Sequence, residues 1–155
     1  MSSVIGIDQS FTSTAVWMDA DNHRIIRTTP NKEDPLDIFK RSIYIAQEIY
    51  SFCHTYPDIE RIQIEGLSFA AKGDATRNLG GLQFVIIEHL MKLGKDIEII
   101  TPTSLKKLAT DDGRADKQKM FDCLPDDVKE LIGSVPKSKG RFDLVDAYWL
   151  SVVSK

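Results

Sequence analysis

Apolar positions along the chain switch between a period of two and a period of three to four, and the switches mark its elements. The apolar run Val4-Ile5-Gly6-Ile7 ends at Asp8, and 13–18 is rich in β-branched and aromatic residues before the polar stretch Asp19-Ala20-Asp21-Asn22. These features predict two strands joined as a hairpin. After the polar pair His23-Arg24, a third β-branched run over 25–29 stops at Pro30 and completes a three-stranded meander. From 35 to 54, Leu36, Ile38, Phe39, Ile43, Ile45, Ala46, Ile49, Tyr50 and Phe52 recur mostly at spacings of three and four. That spacing predicts an amphipathic helix, with Asp34 as N-cap and Pro35 in its first turn. Strict alternation over 61–65 predicts a fourth strand that ends on a carboxylate. A second helix follows over 75–93, stopped by Gly94, and a fifth strand over 97–100 precedes Thr101-Pro102. The remainder predicts a short helix over 104–108, helical pieces over 115–132 and a last helix over 142–153.

This order, βββαβαβα with a helical tail, predicts an α/β fold: a mixed five-stranded sheet flanked by helices, because parallel strands need crossover connections. No repeat, low-complexity tract or Pro/Gly-rich linker divides residues 1–155, so a single domain is expected. Hydrophobic residues at 42% and charged residues at 28% suffice for one core and exclude wholesale disorder. Cys53 and Cys123 stand alone, with neither zinc-ligand spacing nor a disulfide framework, which suits a reducing cytoplasm. No apolar run approaches the ~18 residues needed to span a bilayer, and the start carries no secretory pattern. A cytoplasmic protein without membrane insertion is the expectation.

Net charge is −3, which argues against coating nucleic acid by charge alone. Segment 101–141, however, carries nine basic and seven acidic residues. It is either a solvated face of mixed sign or a local hold on a phosphate backbone. Four acids fall where chains place chemistry. Asp8 follows one apolar strand and Glu65 ends another, while Asp143 and Asp146 stand one turn apart on a helix otherwise made of Phe142, Leu144, Val145, Ala147, Tyr148, Trp149 and Leu150. Taken singly, Asp8 also suits a turn, Glu65 a solvated strand terminus and Asp143 a helix cap. Asp146, between Val145 and Ala147, has no such plain role. Buried carboxylates cost several kcal/mol each unless a positive partner compensates, and a hard divalent cation does so best.

The stretch Gly6-Ile7-Asp8-Gln9-Ser10-Phe11-Thr12-Ser13-Thr14 resembles the first-strand motif of RuvC-type Holliday-junction resolvases, within the RNase H-like superfamily. Ile64-Glu65 is similar to that family's second acid and Leu79-Gly80-Gly81 to its following helix. Thr101-Pro102-Thr103-Ser104-Leu105-Lys106-Lys107 is similar to its Pro-x-x-Val-Lys segment, and Gly113-Arg114-Ala115-Asp116-Lys117 to its Gly-x-Ala-x-Lys stretch. Asp143-Leu144-Val145-Asp146-Ala147 matches its Asp-x-x-Asp-Ala motif. The resemblance covers nearly the whole chain. Gln9 departs from the Pro of many relatives, and Leu105 from the usual Val. Ser68 stands where bacterial relatives carry an aromatic wedge, with Phe69 next along and open to either that role or a packing one. The shortness of the chain suggests a phage-type member.

The resemblance implies a nuclease that resolves four-way DNA junctions by paired symmetric nicks. It implies Mg²⁺, with Mn²⁺ able to substitute, held by Asp8, Glu65, Asp143 and Asp146, because hydrolysis of a phosphodiester needs an activated water on one side of phosphorus and charge stabilisation on the other. Two ions about 3.5–4 Å apart supply both. It further implies Lys117 at the scissile phosphate, and Lys106, Lys107, Arg114 and Phe69 as DNA contacts. A resolvase cuts two symmetric strands, so a homodimer is implied. The second helix, apolar on several faces, serves either as its seam or as a core helix. Three rivals bear on the function. Actin-like kinases share the first-strand pattern but need two domains, for which 155 residues leave no room. Another nuclease specificity, for flaps or RNA/DNA hybrids, would use the same acids. A catalytically silent junction binder would gain from losing them. His23, His54, His89 and the cysteines show no ligand or nucleophile pattern.

Overall fold

A computed structural model describes residues 3–67 and 72–152. Five strands, β1 (Val4–Asp8), β2 (Ser13–Asp19), β3 (Asn22–Arg27), β4 (Arg61–Glu65) and β5 (Asp96–Ile100), form one sheet in the order β3-β2-β1-β4-β5. β1, β2 and β3 make an antiparallel meander, whereas β4 runs parallel to both β1 and β5. The helices are α1 (Asp37–His54), α2 (Asp74–Met91), α3 (Pro102–Thr110), α4 (Lys117–Asp122), α5 (Asp126–Gly133) and α6 (Arg141–Val152), with a 3₁₀ turn at Lys137–Lys139. This is the mixed five-stranded sheet flanked by helices that the sequence predicts.

Boundaries differ where polar side chains act locally. β3 starts three residues before its β-branched run, because Asp19 Oδ1 accepts hydrogen bonds from the Asp21 N–H and the Asn22 amide and so tightens the turn. His23 then stacks on Trp17 across the ladder at 4.9 Å. α1 starts at Asp37 and not at Pro35. Asp34 is no N-cap; its Oδ1 accepts from the Leu36 N–H in a turn that precedes the helix. α3 starts earlier than 104 because Thr101 caps it, accepting from the Ser104 N–H, with Pro102 in the first turn.

Alternation along the strands divides the core into two layers. Ile5, Ile7, Val16, Ile62 and Ile64 face α1 and α2, where Ile45, Ile49, Phe52, Leu82, Ile86 and Leu90 complete one layer. Ala15, Trp17 and Ile100 face the other way, onto Leu144, Val145, Ala147 and Leu150 of α6 and Leu105, Met120 and Ile132 of α3, α4 and α5. Each fully buried Ile or Leu contributes about 1.5–3 kcal/mol. Gly6 lets α6 lie directly on β1: a Cβ there would stand 2.0 Å from the Ala147 carbonyl oxygen and 2.6 Å from the Ser151 nitrogen. The Gln63 amide pins the same helix by donating to the Leu150 carbonyl. Among the described residues no helix is long and apolar enough to cross a membrane.

Candidate active site

Two parallel neighbours end together. β1 and β4 pair Ile7 with Ile64, so Asp8 and Glu65 come next on adjacent strands at the same end of the sheet. Pleating decides which way they point. Asp8 shares the face of Gly6, and Glu65 that of Gln63, which is the face covered by α6. Asp146 directly precedes Ala147, the residue seated on Gly6. Carboxylate oxygens of Asp8, Glu65 and Asp146 therefore converge to within 4.8 Å of one another. Asp8 is only 9% exposed. Asp143, one turn earlier on α6, accepts a hydrogen bond at Oδ2 from the Ser13 hydroxyl at the start of β2. Its charge nevertheless bears on the other three acids.

Burial and mutual repulsion act on the acids together. Burial, then the charges of Asp146, Glu65 and Asp143, hold the Asp8 carboxyl well above the ordinary carboxylate range, and Asp8 donates a hydrogen bond to Glu65. Glu65 is raised by burial, opposed by that bond and by Lys106. Asp146 is pushed up to about 8 by burial and by Glu65 and Asp143, against the pull of Lys117 and Lys106. Three close, half-desolvated oxygen donors with so little positive compensation fit a hard divalent cation such as Mg²⁺ or Mn²⁺.

No family model matches the chain, and no curated protein matches it. Solved structures do. The Thermus thermophilus RuvC structure aligns at a TM-score of 0.66 with 17% identity, covering 96% of this chain and 90% of that one. T. thermophilus RuvC in complex with Holliday junction substrate aligns at 0.68 with 15% identity, covering 97% and 90%. The yeast mitochondrial Holliday junction resolvase aligns at 0.59 with 16% identity, covering 97% and 76%. This chain has the fold of RuvC-type resolvases. At these identities the likeness is one of fold.

Within this resolvase fold the sequence-derived candidates separate. Lys106 on α3 and Lys117 at the start of α4 lie close enough to act on the acidic cluster. Lys107 turns away, donating to the Asp111 carbonyl at 3.1 Å at the end of its own helix. Arg114 is exposed in the loop before α4, its backbone N–H bonded to Asp112 Oδ1. Phe69 lies outside the described residues. Three residues have roles that the sequence reading did not find. Ser13 holds Asp143; a polar residue in phase with Ala15 and Trp17, on the α6 face of β2, was the available signal. Gln9, buried beside Asp8, donates to the Leu79 carbonyl of α2 and ties the active end of β1 to that helix. Phe142 carries two lysine ammoniums near its ring, which no pattern in the sequence announces.

Proposed function

We propose that this protein is a divalent-metal-dependent endonuclease that resolves four-way DNA junctions by paired symmetric nicks. The observation that carries this reading is the convergence of Asp8, Glu65 and Asp146 from β1, β4 and α6, flanked by Lys106 and Lys117, on a fold shared with proteins named as Holliday junction resolvases. Asp8, Glu65 and Asp146 would hold Mg²⁺, and Asp143 would orient from its bond to Ser13. When bound, the metal supplies Lewis-acid stabilisation of the phosphoryl charge and a water acidified enough to attack. The chain's own groups do the rest. Lys117 and Lys106 place positive charge beside Asp146 and Glu65, where a phosphate must enter against four carboxylates. Gly6 and Gln63 fix the distance between α6 and the strands, and so keep the acids in mutual reach.

Two strands must be cut in register, so the active unit is a homodimer. α2 buries Leu82, Ile86 and Leu90 but leaves Phe84 81% exposed and Met91 68% exposed, which supplies an apolar seam. The test is cleavage of labelled four-way junction, flap, duplex and RNA/DNA hybrid substrates in Mg²⁺, with Asp146→Asn as control. Paired symmetric nicks confined to the junction and lost in the control are expected. Cutting of hybrids or flaps instead would reassign the substrate, and tight junction binding without cutting would remove the enzyme assignment.

A further inference from the structure

Three lysines among the described residues make ion pairs. Lys40, Lys92 and Lys119 each pair with a carboxylate, at 2.7, 3.5 and 3.2 Å. Lys117 and Lys137 are exposed and make no ion pair with the described residues, yet they come from different elements to the same ring. Their ammonium nitrogens stand 5.9 and 5.8 Å from the centroid of Phe142. The two ammoniums lie within about 12 Å of each other; Lys117 also feels the charge of Asp146, whereas Lys137 makes no ion pair with the described residues. The ring face attracts both ammoniums and gathers them at one place, and two exposed lysines held close together form a site that suits a phosphate backbone.

The turn that carries Lys137 is fixed. The Arg141 guanidinium donates to the Val135 and Gly133 carbonyls at 2.7 and 2.8 Å, closing the segment from behind. Gly140, at φ +106°, packs on Ile25 and Ser13 and leads straight into α6. Lys137 is thus presented by a braced 3₁₀ turn, and Phe142 immediately precedes Asp143, which is bonded to Ser13 beside the acidic cluster. We infer that Lys137, set by the ring of Phe142, grips a backbone phosphate next to the one that Lys117 serves, so that the strand to be cut is held at two neighbouring phosphates beside the acids. This inference rests on the proposed nuclease function and adds a binding residue to it. Lys137 holds the strand; Phe142 is a positioning residue that sets the spacing of the two ammoniums.

The test measures four-way junction binding against salt concentration in EDTA, in an Asp146→Asn background that cannot cleave. A lysine on a phosphate contributes about 0.9 to the slope of log affinity against log salt. Lys137→Gln is expected to lower the slope by about that amount and to weaken binding several-fold, with Lys137→Arg restoring both. Lys95→Gln, at the opposite end of the sheet, is expected to change neither. Phe142→Leu is expected to weaken binding while leaving the slope in place, since both charges remain; thermal melting checks that it is folded. If the background protein binds the junction but Lys137→Gln behaves as Lys95→Gln does, the grip is overturned and the nuclease function stands. If the background protein shows no salt-dependent junction binding, both fall.

Discussion

Three acids that repel one another, Asp8 buried and Glu65 and Asp146 half-buried, should make the metal-free protein weaker as pH rises, against the usual direction for carboxylates. Unfolded, Asp146 would release its proton near 3.8, whereas in the fold it holds it up to about 8. Asp8 and Glu65 are shifted in the same sense. Between these limits the folded state binds more protons than the unfolded one, so the stability contributed is fully present below about pH 4 and is lost as pH climbs toward 8. The rise from 3.8 to about 8 sets a ceiling on the order of 6 kcal/mol for Asp146. Side-chain relaxation and water entry reduce this to roughly half. Asp34 and Asp112, held below the ordinary range by the Lys40 hydrogen bond and by the Arg114 N–H, titrate beneath this window and do not obscure it. The perturbation is Asp146→Asn, which keeps the shape and removes one charge of the set. Urea unfolding in EDTA at about pH 5.5 and about pH 8.5 is expected to show the wild-type midpoint falling, and the variant's staying flatter and ending higher at the alkaline end. Excess Mg²⁺ should abolish the wild-type fall, because the cation binds only the folded, deprotonated cluster. A wild-type stability that is flat or rises with pH in EDTA would refute the burial of these acids in one cluster.

Gly6→Ala is expected to cost about 3 kcal/mol or more, since the new methyl meets the backbone of α6, and to slow cleavage by about 100-fold through displacement of Asp146; near-normal urea midpoints would remove α6 from β1. Ser13→Ala frees Asp143 and is expected to weaken Mn²⁺ binding by calorimetry, with Ser13→Thr restoring it; an unchanged isotherm would deny Asp143 any part in the site. Lys117→Ala is expected to lower the single-turnover cleavage rate on the order of 100-fold, and an unchanged rate would exclude it from catalysis. Phe84→Lys, at an 81% exposed position, is expected to leave stability within about 0.5 kcal/mol while shifting sedimentation from dimer to monomer; a dimer that persists would move the seam elsewhere.

The sheet was legible because its strands carry the alternation that pleating requires, and 61–65 is the clearest instance. Every residue in it lies where the period of two puts it, with Gln63 and Glu65 on the α6 face. Helix starts were less legible, since they depend on which nearby oxygen wins an N–H. Asp34 offers its oxygen to Leu36 before the helix begins, and Thr101 caps a helix whose apolar pattern starts only near 104. Of the acids, Asp8, Glu65 and Asp146 could be found because a charge at the end of an apolar strand or inside an apolar helix has to be explained. Asp143 was found by the same spacing, but its partner was not, because Ser13 lies 130 residues away in sequence. The basic residues were least legible. Lys106 and Lys107 are neighbours of identical chemistry, yet only the turn of α3 decides that one acts on Glu65 while the other closes its own helix.

The same topology that assembles the acids also explains why so much backbone is committed to α6. Strands alone bring Asp8 and Glu65 together, since parallel neighbours in register end at one place. A third carboxylate must arrive from another layer, at a height that brings its oxygens within 4.8 Å of the other two. Two devices set it: the missing Cβ of Gly6, beneath Ala147, and the Gln63 amide on the Leu150 carbonyl, one turn further along the same face. Both act C-terminal to Asp146, and the Ser13 bond to Asp143 and the Arg141 brace hold the first turn, where Phe142 and the Lys137 turn gather. A helix held this way keeps its acids in place against their own repulsion, and it leaves open the side from which a phosphate backbone must approach.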